Sequence, residues 1–316
     1  MKRLLAILSI VGLGMACITS CGKPQKIRIG YQKTEIYQHF FTAIEKGYFK
    51  SEGLEVEPIE FASANLMAEA LIAGRIDGTA TSAFPVIFSV EQNNPGQFKI
   101  YLVNAVTETS FPDYILVKKG SELENLSDLK GKKIGTYPGS TLLTYTKLIL
   151  GHFMDPEEDI TIVQLKPDLQ IQALESGQVD AILALEPIAS VVLEQGVAQV
   201  LEEAPLAKYV MNPLPGSGST FSPKFIEDNP RAVKKVIKAM NRAADFLRDS
   251  NNTAEAQEIL AKWTGMDEEV IERLRPLTYW KLEEIDREAV QNLADVLFEE
   301  GVLEKRTETS TLYYGE

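Results

Sequence analysis

Segments that are apolar at alternate positions are each followed by a segment with helical spacing, so the chain predicts an α/β fold with parallel strands. An octet recurs about 100 residues further on, which makes the fold two similar units rather than one. Strands flanking a polar stretch separate the units and read as a crossing between two lobes. A length of 316 residues suits two domains.

Residues 26–32 alternate like a first strand, and helical spacing follows over 37–49. Residues 54–61 alternate again, with Val56, Ile59 and Phe61 apolar. Helical spacing returns over 65–73 and stops at Gly74, whose access to left-handed backbone suits a helix C-cap. Residues 76–80 lead into a third, buried strand. The octet Ala70-Leu-Ile-Ala-Gly-Arg-Ile-Asp77 then reappears as Ala173-Leu-Glu-Ser-Gly-Gln-Val-Asp180. Ile29-Gly30 is echoed by Ile134-Gly135, and Phe49 with its following strand by Phe153 with residues 160–165. Between the units, 101–106 and 113–118 read as strands around the polar crossover 107–112. A second return is expected over 209–221, where Pro213, Pro215, Gly216 and Gly218 break regular structure. Gly216-Ser-Gly-Ser-Thr220 lacks the Gly-Lys-Ser/Thr ending of a phosphate loop and reads as a flexible turn. Asn229-Pro230 starts a helix with Val233, Val236, Ile237 and Met240 on one face, and further helices are expected over 253–263, 268–274 and 286–300. These have no counterpart in the first unit and should return to pack on it. Lobe I is then 26–110 with 216–316, and lobe II is 111–215.

The first twenty residues stand apart. Lys2 and Arg3 lead a run over 4–18 that is apolar apart from Ser9 and two glycines, the shape of a signal peptide. Its roughly fifteen residues fall short of the roughly 20 that span a bilayer. Ile18-Thr19-Ser20-Cys21 resembles the bacterial lipobox, so cleavage before Cys21 and lipidation of Cys21 are expected, with 21–25 as a tether. Cleavage would leave Cys21 as the one thiol of the mature chain, so a disulfide within it is excluded. Losing Lys2 and Arg3 takes the formal charge from -13 to -15. With a pI near 4.9 the chain has no broad basic surface for nucleic acid, and lipid rather than charge would hold it at a membrane.

The run Glu45-Lys-Gly-Tyr-Phe-Lys-Ser-Glu-Gly-Leu-Glu-Val56 is followed by the octet 70–77 and by Leu126-Ser-Asp-Leu-Lys-Gly-Lys-Lys-Ile-Gly135. Residues 173–187, Asp228-Asn-Pro230 and Glu300-Gly-Val-Leu303 complete the series. In order and spacing these resemble the nitrate, sulfonate and thiamine-precursor branch of periplasmic binding proteins, over essentially the whole mature chain. The resemblance implies a periplasmic-binding-protein-like type II fold, two doubly wound lobes joined by a two-segment hinge. It further implies a monomeric, extracytoplasmic solute-binding lipoprotein on the outer face of the bacterial cytoplasmic membrane. Its partners would be an ABC permease and ATPase, its ligand a small sulfonate-like or related organic anion, and it would need neither a cofactor nor catalytic residues. The alternative ligand is a thiamine-precursor pyrimidine. An enzyme of the pyrimidine-synthase kind would use a His and a cysteine-rich loop, and the mature chain has no cysteine for such a loop. A sensor's detached binding lobe is a third class.

In open parallel sheets a ligand sits beyond the carboxyl ends of the strands, against helix starts. The loops there offer Gln32, Ser63, Asn65, Ser82, Thr109, Ser110, Tyr137, Gly139, Ser140, Thr141 and Glu186. Hydroxyls and amides can hold an anionic or neutral head group without the desolvation of a buried Lys. Gly139 would let a ligand approach the backbone while Ser140 and Thr141 open a helix; Ser63 and Ser140 also suit plain N-caps. Glu186 could pair with an ammonium group, or simply charge a helix start. Phe111, Tyr31 and Tyr137 could wall an apolar part of the ligand. Asp77 and Asp180 read as structural caps. His39 and His152 lie in expected helices without Cys or carboxylate neighbours at metal-ligand spacing, so no metal site is expected.

Overall fold

A computed structural model describes residues 25–315. The leader, Cys21 and nearly all of the tether therefore lie outside the described residues. The strands are β1 (Gln25–Tyr31), β2 (Leu54–Glu60), β3 (Gly78–Ala83), β4 (Lys99–Val106), β5 (Asp113–Lys118), β6 (Lys133–Thr136), β7 (Thr161–Gln164), β8 (Ala181–Leu185), β9 (Ala198–Glu203), β10 (Leu214–Phe221) and β11 (Thr278–Lys281). They form two sheets with helices between strands, ordered β11-β4-β10-β3-β1-β2 and β7-β6-β8-β5-β9. Without the edge strand β11, the two orders correspond strand for strand. In each, one strand that arrives from the other lobe, β10 or β5, runs antiparallel between two strands of the host lobe. The chain thus crosses twice, over 107–112 and 204–213.

The repeated octet has a physical role. The backbone N–H of Asp77 donates to the Arg28 carbonyl at 2.8 Å, and its Oδ2 accepts the Arg28 backbone N–H at 2.8 Å. Asp180 does the same to Lys133, again at 2.8 Å in both directions. Each aspartate therefore ties the turn after a helix to the first strand of its lobe. Gly30 and Gly135 serve close packing: a Cβ on Gly30 would stand 2.8 Å from Ile76 Cδ1 and Met67 Cγ, and one on Gly135 2.9 Å from Leu165 Cδ1.

The expected helix over 37–49 is broken at Gly47 (φ +66°) into Gln38–Glu45 and Tyr48–Ser51. The larger departure is Gly216-Ser-Gly-Ser-Thr220. It is not a turn but the body of β10, held between β3 and β4. The small residues are there because the strand is tightly enclosed: a Cβ on Gly218 would meet Ile100 Cγ2 at 3.2 Å. Its hydroxyls pair with those of β3. Thr79 and Thr220 meet at 2.8 Å, and Thr81 donates to Ser217 at 2.8 Å. Each such buried bond contributes about 1 kcal/mol.

The C-terminal helices return to the six-stranded sheet. Helix Pro230–Arg248 buries Val233, Val236 and Met240. Trp263, from helix Thr253–Thr264, stacks on Phe41 at 4.7 Å and meets Tyr31 edge-on at 5.5 Å. Tyr31 is thereby a packing residue of this lobe.

Candidate functional site

The carboxyl ends of β1, β3 and β4 lie at one end of the first sheet, since β3 runs parallel to β1 and both β3 and β4 run antiparallel to β10. Those of β6 and β8 form the matching end of the second. The two ends face each other. A cavity of about 400 Å³ is lined by Ser63, Asn65, Ala83 and Leu303 from one side and by Pro138, Gly139 and Thr141 from the other.

β6 leads directly to this cavity through Pro138 and Gly139, and β1 ends at the carboxyl end of the first sheet. After β1, Gln32 accepts the Tyr37 hydroxyl at 3.1 Å, and that hydroxyl lies 3.3 Å from the Thr81 carbonyl. Glu35 follows and is 6% exposed, with Oε2 lacking any partner. Burial, aided by the Glu186 carboxylate, pushes Glu35 up to about 8. After β6, Tyr137 accepts the Leu185 backbone N–H at 3.3 Å, with its hydroxyl 3.4 Å from the Leu185 carbonyl. Burial raises its pKa, and the charges of both Glu35 and Glu186 add to that. Tyr137 is therefore within reach of the charges of carboxylates carried by both lobes.

Glu186 is 7% exposed at the end of β8. Its Oε2 accepts the Ser190 backbone N–H and its Oε1 the Ser190 hydroxyl, both at 3.0 Å. Burial raises its pKa, while these two bonds, the Tyr114 hydroxyl and the charge of Arg273 oppose the rise. On the opposite lobe, Ser82 lies within β3 rather than after it, is buried, and has an unpartnered hydroxyl. Asn104, near the end of β4, has an unpartnered Nδ2. Burial and then the Glu35 charge raise the pKa of the Tyr279 hydroxyl of β11, while a hydrogen bond with the His39 backbone opposes the rise. Buried polar groups are nearly always paired, and the unpartnered atoms of Glu35, Ser82 and Asn104 lie at or near one set of strand ends, while Gln170 and Asn241 carry others elsewhere.

The other sequence-predicted residues fall as follows. Ser63 caps helix Ala64–Ile72 by accepting the Leu66 backbone N–H at 3.3 Å, and it also lines the cavity with Asn65. Gly139 has φ +117°, a conformation that favours glycine, and donates its N–H to Gln164 Oε1 at 2.9 Å. Ser140 opens helix Ser140–Gly151, and Thr141 turns onto the cavity. Thr109 and Ser110 lie in the first crossover: Thr109 is exposed, and the Ser110 hydroxyl donates to the Pro276 carbonyl. Phe111 is buried there, with the Arg275 guanidinium 5.8 Å from its ring centroid. Lys33 pairs with Glu60 at 2.9 Å on the surface. His39 is wholly buried behind β3, and its Nε2 lies 3.0 Å from the Ala80 carbonyl and 3.2 Å from Ser219 Oγ. A carbonyl can only accept, so Nε2 carries the proton and cannot activate Ser219. Burial holds this ring neutral by lowering its pKa to about 4.

Glu35, Asn104 and Tyr279 were not singled out from the sequence. Glu35 closes the loop after β1, and only the burial of its side chain sets it apart.

Residues 21–261 match the NMT1-like family. The chain belongs to the NMT1-like family. A Bacillus subtilis protein named for binding aliphatic sulfonates is 28% identical over 297 residues, covering 89% of this chain and 83% of that one. The 4-amino-5-hydroxymethyl-2-methylpyrimidine phosphate synthase THI13 of Saccharomyces cerevisiae is 25% identical over 228 residues, covering 69% and 65%. Among solved structures, the periplasmic aliphatic sulphonate binding protein SsuA from Escherichia coli superposes with a TM-score of 0.77 at 22% identity, covering 92% of each chain. This last likeness is one of fold. The NMT1-like chain has the type II periplasmic-binding-protein architecture expected from its sequence, and the family resemblance read there holds. Among its described residues no helix is long and apolar enough to cross a membrane.

Proposed function

We propose that this NMT1-like chain is the extracytoplasmic solute-binding lipoprotein of an ABC importer, held at the membrane through Cys21, which shuts its two lobes on a small polar organic solute. The observation that supports it most is the cavity lined by hydroxyl and amide residues of both lobes, with orphaned buried polar atoms on Glu35, Ser82 and Asn104 at or near the strand ends of one of them. Capture rather than turnover is favoured by the state of His39, a neutral donor fixed inside one lobe. The names of the bacterial relatives support a binding role and an aliphatic sulfonate as ligand. The yeast relative's name, with tyrosines at the strand ends, supports a pyrimidine as second ligand class.

The test is identification by mass spectrometry of the compound carried by protein purified from its native host. Calorimetry with that compound and small-angle scattering with and without it should then show saturable binding and a smaller radius of gyration. Saturation without any change in shape would remove the closing mechanism. Turnover of the compound would remove the transport role.

A further inference from the structure

The chain is acidic overall, with a formal charge of -13, but its cations are not evenly spread. Helix Pro230–Arg248 carries Arg231, Lys234, Lys235, Lys238, Arg242 and Arg248 against the single acid Asp245. At helical spacing Arg231, Lys234, Lys235, Lys238 and Arg242 fall on one stripe, all of them exposed, opposite the buried Val233, Val236 and Met240. Several carboxylates of the neighbouring segments are already engaged: Glu52 pairs with Lys238 at 2.8 Å, Asp228 with Lys224 at 2.7 Å and Asp245 with Lys281 at 2.5 Å. Glu55 and Glu227, the other acids of 48–56 and 223–248, leave the stripe net positive. Among the described residues Arg231, Lys234 and Lys235 form no ion pair.

This stripe lies where the chain enters the fold. A Cβ on Gly53 would stand 3.8 Å from Lys235 Nζ, and Arg242 donates to Ser51 Oγ at 2.8 Å. The next residue, Leu54, stands in register with Gln25, the first residue of β1. Only Cys21 to Pro24 separate Gln25 from the expected cleavage point, and from Cys21 to Gln25 such a chain spans at most roughly 14 Å. We propose that the basic stripe of helix Pro230–Arg248 rests lobe I on anionic phospholipid headgroups. This uses the reading of Cys21 as the lipid anchor, which brings the stripe within a tether's length of the bilayer. Attraction to an anionic leaflet fades within about 10 Å, so only a face held that close contributes. The acidic remainder is repelled by the same leaflet, and the two effects together select one orientation. The acyl chains hold the protein at the membrane, and the stripe sets which way it stands. Since the tether joins β1 at its first residue and the cleft lies at the carboxyl ends of the strands, the cleft is turned toward the solution.

The chain from Cys21 onward keeps every described element and has Cys21 as its one thiol, so it can be coupled there to a maleimide-bearing lipid. Coupled chain is compared on vesicles of phosphatidylcholine and on vesicles in which about a third of the lipid is phosphatidylglycerol. A neutral acetylating reagent with readout by mass spectrometry reports each lysine. On the anionic vesicles Lys234 and Lys235 should react about threefold more slowly or less, Lys118 and Lys119 of the other lobe should keep their rates, and high salt should abolish the difference. Substituting Gln at both Lys234 and Lys235, exposed positions whose change leaves the core intact, should return Lys238 to its rate on neutral vesicles. Equal rates on both vesicles, protection shared by Lys118 and Lys119, or protection that survives high salt overturns the membrane face. The coupling reproduces the tether whatever the host does to Cys21, so the anchor itself is decided separately, by mass spectrometry of Cys21 in protein from the native host.

Discussion

Glu35 binds its proton more tightly in the folded chain than in the unfolded one, because burial and then the charge of Glu186 raise it from 4.5 to about 8. Between those two values the ligand-free native state holds a proton that the unfolded chain releases, so native stability falls as pH rises through that window. At about 1.4 kcal/mol per pH unit, the rise from 4.5 to about 8 makes the loss on the order of 5 kcal/mol by pH 8.5. Glu35→Gln replaces the carboxyl with a neutral group of the same shape. Urea melts of ligand-free protein should then show the variant matching the natural chain at pH 5 and exceeding it at pH 8.5. Equal slopes of stability against pH in the two proteins would show that Glu35 is not buried as described. Of the candidate site, the strand-end position of the cavity-lining Ser63, Asn65, Gly139 and Thr141 and of Glu186 was legible in the sequence, because strand ends can be located by periodicity. Glu35, Asn104 and Tyr279 were not, because their importance lies in facing groups remote in sequence, which periodicity does not report.

At the scale of elements, the parallel strands and the repeated octet could be read directly, since a helix-stop glycine followed by an aspartate performs the same local task in both lobes. β10 could not. Proline and glycine ordinarily mark turns, and in Leu214–Phe221 they mark instead a strand pressed so closely between neighbours that larger side chains are excluded. β11 escaped for a different reason: four residues at a sheet edge carry too little pattern. The closeness of β10 makes a prediction about its neighbour. A Cβ on Gly78 would stand 2.6 Å from the Thr220 carbonyl oxygen and 3.0 Å from the Phe221 ring, and the oxygen belongs to backbone that cannot rotate away. Gly78→Ala should cost about 3 kcal/mol. Gly74 offers the control, because its φ of +67° is unfavourable for alanine but nothing lies within 4 Å. Gly74→Ala should cost only about 1 kcal/mol, and chemical denaturation that ranks the two the other way would refute the packing of β10 against β3.

At the scale of the whole molecule, the two crossovers are joined by a third link from the C-terminal segment. The Ser110 hydroxyl donates to the Pro276 carbonyl, Arg275 lies against Phe111 and Tyr114, and helix Glu268–Arg273 touches helix Ile188–Glu194 of the other lobe. That last contact contains an acid pair. Glu194 is raised by a hydrogen bond shared with Glu269 and by the charges of Glu269 and Asp267, with Arg273 opposing. Like charges across a lobe boundary favour separation. Reversing one charge should shift the balance between open and shut forms without touching the ligand. Glu194→Lys would face Glu269 and Asp267 with a cation. Because the site is solvent-exposed the gain is small: ligand affinity should rise about two- to threefold at low salt, and the rise should disappear in high salt as the charges are screened. Scattering from the ligand-free variant should give a smaller radius of gyration than the natural chain under the same low-salt conditions. An affinity gain that persists at high salt, or no contraction at low salt, would mean that this contact does not move when the lobes open.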